Sequence, residues 1–125
     1  FTGKDKALAE EKMRKMEILD LADRCYRELS GGQKQRVLLA RSMCAAKEMM
    51  LLDEPVTGLD PTATEEFYAT VKQLHREGLT VVMISHDPEK ALSSATHVLH
   101  LGQSMLYFGK TDGYDREQIL LKEEH

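Results

Sequence analysis

The chain has 125 residues, the length of one domain, and its apolar (42%) and charged (30%) fractions are those of an ordinary globular protein. The formal net charge of -4 argues against nucleic acid as the main partner. No run approaches the roughly twenty apolar residues of a membrane span, and no signal peptide is recognisable.

The first predicted element is a helix over residues 4–21, where an imperfect apolar stripe repeats at helical spacing. A coiled coil is the alternative, but apolar a and d positions do not persist for three heptads. Residues 20–28 form a polar connection. Two cysteines, Cys25 and Cys44, are expected to be small buried residues with reduced thiols.

A glycine turn, residues 30–33, opens the second predicted helix, which extends to about Ala46. Ser30 is a favourable N-cap, and Gln33 completes an S-x-x-Q capping box. Gly31 and Gly32 leave backbone N–H groups uncovered at the positive end of the helix dipole. The turn is therefore a candidate anion site.

Residues 49–54 predict a short buried strand that ends in two carboxylates, Asp53 and Glu54. Open α/β sheets bind their ligands at the carboxyl ends of their strands. A phosphate-binding helix start followed by an acidic strand end suggests a nucleotide and its magnesium ion.

The third helix begins with Asp60 as N-cap and Pro61 at the first helical position, and it ends before Gly78. A β-branched strand over residues 79–85 follows, expected to be buried on both faces, and His86 comes directly after it. The remaining predicted elements are a short helix, two strands and a helical tail, at residues 87–94, 97–101, 104–108 and 115–123. This alternation predicts an α/β fold with a parallel sheet.

Four of these stretches resemble, in order and spacing, the motifs of ATP-binding-cassette (ABC) transporter ATPases. Residues 29–36 resemble the signature motif, 49–54 the Walker B strand, 58–60 the D-loop and 85–87 the switch histidine. The chain departs from the family because no G-x-x-x-x-G-K-[ST] phosphate loop is present. Together with the absence of an initial methionine, this favours a C-terminal part of such an ATPase.

The resemblance implies a partial P-loop NTPase (RecA-like) parallel sheet with flanking helices, plus the end of the helical subdomain. Residues 1–29 would be the remnant of that subdomain, and residues 30–125 the C-terminal part of the ATPase core.

The resemblance also implies a role for each candidate residue in ATP hydrolysis. Asp53 would bind Mg²⁺ through its water shell, and Glu54 would act as general base or as the carboxylate that orients the attacking water. His86 would contact the γ-phosphate and hold that water together with Glu54. In the family, two cassettes pair head to tail, so one chain's signature turn closes over the nucleotide of the other. The residues expected to act across that interface are Ser30, Gly31, Gly32, Gln33 and Asp60, with Arg36 adding contacts.

The implied protein is a cytoplasmic ATPase subunit, peripheral on the inner face of the cell membrane. It pairs with a second ABC ATPase subunit, in a homodimer, and with transmembrane permease subunits. Residues 56–61, 83–87 and 106–109 are most similar to bacterial zinc and manganese importers. Two alternatives stay open: a non-transport ABC ATPase of DNA repair or chromosome structure, and an inert folded fragment.

The missing segment leads to two further expectations. Residues 1–125 alone should be inactive, because the phosphate loop supplies most contacts to the β- and γ-phosphates. In the family's sheet, the strand before that loop lies between strands 79–85 and 97–101. We therefore expect either a rearranged sheet that closes the gap or a partner chain that fills it.

Overall fold

The structure, a computed structural model, describes residues 2–123, and residue 123 through its backbone only. The described residues form two compact units, and the division falls between Ser85 and His86. Within this range, no helix combines the length and apolar character needed to cross a membrane.

The first unit contains three α-helices, two short 3₁₀ turns and two strands. In chain order they are α1 (Gly3–Lys15), the 3₁₀ turns Leu19–Leu21 and Tyr26–Glu28, α2 (Gly31–Ala45), β1 (Met49–Asp53), α3 (Pro61–Arg76) and β2 (Thr80–Ile84). The strands pair in parallel, with Met50 opposite Val81 and Asp53 opposite Ile84. Because α3 is the crossover between two parallel strands, the predicted α/β arrangement is confirmed.

The first helix is shorter than predicted. It ends at Lys15, and Glu17 adopts a left-handed conformation with φ of +57°. The amides of Glu17 and Ile18 donate to the carbonyls of Arg14 (3.0 Å) and Met13 (2.9 Å). This is the Schellman pattern that glycine usually forms, so the sequence carried no signal for it. The reversal places Ile18 in the core, where it is 1% exposed.

The core of the first unit lies between the helices and one face of the sheet. Its buried members are Met16, Ile18, Leu21, Leu29, Leu39, Ala40, Met43, Met50, Phe67, Val71 and Leu74. The opposite face of the sheet is exposed, with Leu51 at 67%, Val82 at 43% and Ile84 at 47%. The prediction that residues 79–85 are buried on both faces is therefore wrong in this chain.

The second unit is a hairpin with helices before and after it. Its elements are α4 (Pro88–Ser94), β3 (His97–Leu101), β4 (Met105–Lys110), a 3₁₀ turn (Thr111–Gly113) and α5 (Arg116–Glu123). The strands are antiparallel, with His97 opposite Lys110. This pairing extends β4 two residues beyond its predicted end. Asp115 accepts a hydrogen bond from the Gln118 amide (3.2 Å) and so caps the start of α5.

The strands described here form two separate sheets, β1 with β2 and β3 with β4. The prediction of a rearranged sheet, in which β2 would pair with β3, is therefore wrong for the described strands. Filling of the gap by a partner chain stays a prediction.

Candidate nucleotide-binding site

The glycine turn forms the predicted capping box. The Ser30 hydroxyl oxygen accepts a hydrogen bond from the Gln33 amide (3.1 Å), and the Gln33 side-chain oxygen accepts one from the Ser30 amide (3.0 Å). The side chain of Gln33 is therefore committed to the backbone of its own turn. Since the first amides of a helix have no intrahelical acceptor, the turn presents N–H donors at the start of α2.

Gly31 and Gly32 also have a packing role that residue type and spacing do not reveal. A Cβ atom on Gly31 would lie 3.3 Å from Cδ2 of Leu59, and one on Gly32 would lie 3.3 Å from the Cβ of Ala63. The backbone of the glycine turn thus lies directly against the D-loop and the first turn of α3. Any side chain larger than hydrogen would crowd this contact.

Asp53 and Glu54 lie at the end of β1. Asp53 is the last residue of the strand and is exposed, whereas Glu54 is half-buried. The Glu54 amide donates to the Ile84 carbonyl (2.9 Å), which continues the ladder one residue beyond the strand. Glu54 then turns with φ of +46°, a left-handed conformation that costs a non-glycine residue about 1–3 kcal/mol. Such conformations concentrate at functional sites.

Two consecutive turns lead from Glu54 to α3. The first joins the Thr57 amide to the Glu54 carbonyl (3.4 Å), and the second joins the Leu59 amide to the Val56 carbonyl (3.1 Å). Gly58 provides the φ of +80° that a type II turn requires at its third position.

Asp60 follows these turns as the predicted N-cap of α3. Its carboxylate accepts a hydrogen bond from the Ala63 amide (2.8 Å). The residue is exposed. Its cap role is therefore confirmed, and one side of the carboxylate faces the surface.

Two side chains of α2, the helix that begins at the glycine turn, contact Pro55 after the acidic strand end and Glu66 of α3. The side-chain amide of Gln35 donates to the Pro55 carbonyl, and Arg36 forms an ion pair with Glu66 of α3 (2.5 Å). Arg36 was expected to add contacts across a dimer, and here it contacts its own chain. Gln35 was not among the predicted site residues.

His86 is the first residue of the second unit and is exposed. The chain reaches it two residues after Ile84, which lies opposite Asp53 in the sheet. Its place after the strand next to the acidic strand is as predicted.

The exposed carboxylate of Asp53 suits a hard cation such as Mg²⁺. In the part of the chain that the structure describes, no group of three or more His, Cys, Asp and Glu side chains could hold a metal ion by itself.

Known proteins give an independent comparison. Residues 3–57 match the family model described as ABC transporter. The zinc uptake system ATP-binding protein ZurA of Listeria monocytogenes is 32% identical over 99% of this chain and 51% of its own length. Over nearly its whole length the chain is therefore similar to part of an ABC transporter ATP-binding protein.

Other ABC proteins match over a similar extent. The phosphonates import ATP-binding protein PhnC of Trichormus variabilis is 34% identical, covering 96% of this chain and 50% of PhnC. A solved inward-facing conformation described as that of a metal-chelate type ABC transporter has a TM-score of 0.91 at 28% identity, over 98% of this chain and 50% of the other. The chain thus spans about half the length of the ABC proteins it matches, and the predicted partial fold is confirmed.

Proposed function

We propose that the full-length protein containing this chain is the ATP-hydrolysing subunit of an ABC transporter. The observation that carries the proposal is the end of β1, where Asp53 and Glu54 stand side by side and Glu54 is held in a left-handed conformation. Hydrolysis of a γ-phosphate needs charge neutralisation and an oriented water molecule. Paired carboxylates at a strand end can supply a magnesium partner and a general base.

Each carboxylate has a separate proposed role. Asp53 holds Mg²⁺ through its water shell, and the ion neutralises phosphate charge when it is bound. Glu54 accepts the proton of the attacking water. His86 contacts the γ-phosphate and orients that water together with Glu54.

The glycine turn and Asp60 are proposed to act on the nucleotide of a second copy. Ser30, Gly31 and Asp60 are all exposed in this single chain. Residues that contact a second subunit must be accessible in this way before the two subunits meet. Backbone donors at the start of α2 would stabilise phosphate charge, with Gln33 keeping the turn in shape. The boundary between residues 1–29 and 30–125 falls at the start of this turn and is proposed to separate the helical subdomain from the ATPase core.

Transport of a divalent metal ion is the proposed task of the whole assembly. Support comes from the zinc uptake protein and the metal-chelate type transporter named above. The ATPase subunit would lie on the cytoplasmic face of the membrane, bound to permease subunits.

The proposal is tested with the full-length protein and a Glu54→Gln variant. We expect ATP turnover to fall by at least about a hundredfold while MgATP affinity stays within about threefold, because the amide keeps the shape of the carboxylate but cannot accept the proton. Glu65→Gln, an exposed site on α3, is the matched control and should leave turnover unchanged. A Glu54→Gln protein as active as this control would contradict the role of Glu54.

A separate measurement uses residues 1–125 by themselves. Without a phosphate loop we expect them to show no micromolar MgATP binding in titration calorimetry. Micromolar binding by this chain would contradict the proposed division of the site.

A further inference from the structure

The turn that follows Glu54 has one peptide plane that its own hydrogen bonds do not hold. In this turn, Glu54 and Thr57 are the hydrogen-bonded ends, and the central peptide joins Pro55 to Val56. Type I and type II turns share their end residues but differ by a flip of this central peptide. Proline at the second position is compatible with both types. Val56 holds the third position, where a type II turn requires a positive φ that Val56 does not adopt, so type II is excluded here. Neither of the two turn hydrogen bonds uses the Pro55 carbonyl, which can therefore accept a hydrogen bond from another element.

Gln35 supplies a hydrogen-bond donor for this carbonyl from another element. Its side-chain amide donates to the Pro55 carbonyl across twenty residues of sequence. Pro55 is buried and Gln35 is half-buried, so water competes weakly for this carbonyl. Gln35 is itself held in place, because Arg36 pairs with Glu66 and Leu39, one turn further along α2, is 2% exposed.

The position of this peptide affects both sides of the site. On one side it follows Glu54, whose φ of +46° is stable only if its surroundings hold it. On the other side, Val56 begins the second turn, which places Leu59 against Gly31 and leads to Asp60. A displacement of this peptide would therefore move the acidic strand end and the D-loop together.

We propose that Gln35 is a positioning residue for hydrolysis, which fixes the Pro55–Val56 peptide and thereby the carboxylate of Glu54 and the D-loop. The proposal rests on the proposed ATPase function. Gln35 also joins α2 to the acidic strand end through one side-chain hydrogen bond, and both of these parts are proposed to act on nucleotide.

The test uses three variants of the full-length protein. Gln35→Met keeps the length of the side chain but removes the donor, and Gln35→Lys restores a donor of similar reach. Gln73→Met makes the same chemical change at an exposed position of α3 and is the matched control. Steady-state ATP hydrolysis gives kcat and KM, thermal unfolding gives Tm, and ¹⁵N–¹H spectra report the Val56 amide, which belongs to the peptide whose carbonyl Gln35 binds.

We expect Gln35→Met to lower kcat at least about tenfold, with KM within about threefold and Tm within a few degrees of the control. The Val56 amide should shift. Gln35→Lys should recover most of the activity and return the amide toward its original position. Equal kcat for Gln35→Met and Gln73→Met would overturn the proposal. So would a Gln35→Met protein that loses Tm and activity together and is not rescued by lysine, since that result describes a structural role only.

The experiment separates this inference from the proposed function. If the wild-type protein hydrolyses ATP and Glu54→Gln does not, but Gln35→Met is fully active, the inference alone fails. If the wild-type protein has no ATPase activity, the proposed function fails, and the Val56 amide still decides whether Gln35 holds the turn.

Discussion

Gly31 and Gly32 are adjacent and chemically identical, yet their neighbours differ in how easily they can move. A Cβ on Gly31 would meet the far end of the flexible Leu59 side chain, whereas one on Gly32 would meet the Cβ of Ala63, which is fixed to the backbone of α3. Alanine is favoured over glycine in a helix by about 0.5–1 kcal/mol, but overpacking costs about 1–3 kcal/mol. The gain in helix propensity should therefore offset the cost of overpacking at Gly31 but not at Gly32.

We expect Gly31→Ala to change the free energy of unfolding by less than about 0.5 kcal/mol, and Gly32→Ala to lower it by about 1–2 kcal/mol. Urea denaturation of the full-length protein measures both. Gly3→Ala near the start of α1, where nothing lies within 4 Å of an added Cβ, is the control for helix propensity. Equal stabilities for the Gly31 and Gly32 variants would show that the close contact with Ala63 relaxes without cost.

Helices α1 and α3 are joined by an ion pair between Lys15 and Glu77 at their C-terminal ends. The hydrogen bond from Lys15, assisted by one from Gln73, lowers the pKa of Glu77 from its ordinary value of 4.5. A carboxylate with a lowered folded-state pKa stabilises the protein above the unfolded-state pKa and loses that contribution as the pH falls through the folded-state value. The stabilisation is therefore present at neutral pH, begins to fall below about pH 4.5, and is lost as the pH falls through the lower folded-state pKa of Glu77.

For this pair we expect Glu77→Gln to lower Tm slightly at pH 7, corresponding to at most about 1 kcal/mol, because exposed ion pairs contribute little. The difference from wild type should shrink as the pH is lowered below 4.5, the ordinary pKa of this residue. Thermal unfolding between pH 7 and a pH below 4.5 measures this difference in Tm, with Glu65→Gln on the same helix as the control. A difference that stays constant with pH would rule out the ion pair as its cause.

The exposed face of the β1–β2 sheet determines how residues 1–125 should behave in isolation. Met49 and Leu51 are 60% and 67% exposed, next to Val82 and Ile84 at 43% and 47%. Parallel sheets are usually covered on both faces. Among the described strands, β2 also pairs with β1 alone. Contact with another chain would cover this apolar surface.

We therefore expect the isolated chain to form dimers or larger species in multi-angle light scattering at micromolar concentration. Leu51→Lys should shift it toward monomer, because a charge in the contact must be desolvated. Leu121→Lys, at a 58% exposed position of α5, is the control. A monomeric wild-type chain under these conditions would contradict the prediction that another chain fills the gap.

The sequence by itself determined the features that depend on neighbours along the chain. The capping box of Ser30 and Gln33, the Asp60 cap and the left-handed Gly78 (φ +102°) involve contacts within a few residues, so residue type and spacing are sufficient to predict them. The glycine turn at the start of a helix, followed along the chain by an acidic strand end, likewise predicts nucleotide binding from sequence alone.

Only the tertiary structure decided the features that join distant segments. The early end of α1 at Lys15 and the left-handed Glu17 after it accompany the burial of Ile18, and the hydrogen bond from Gln35 to Pro55 links residues twenty positions apart. In the sequence, Gln35 resembles any polar residue on a helix surface, and Val82 resembles the core of a covered sheet. Their actual environments depend on which elements pack against them, and local pattern carries no information about that packing.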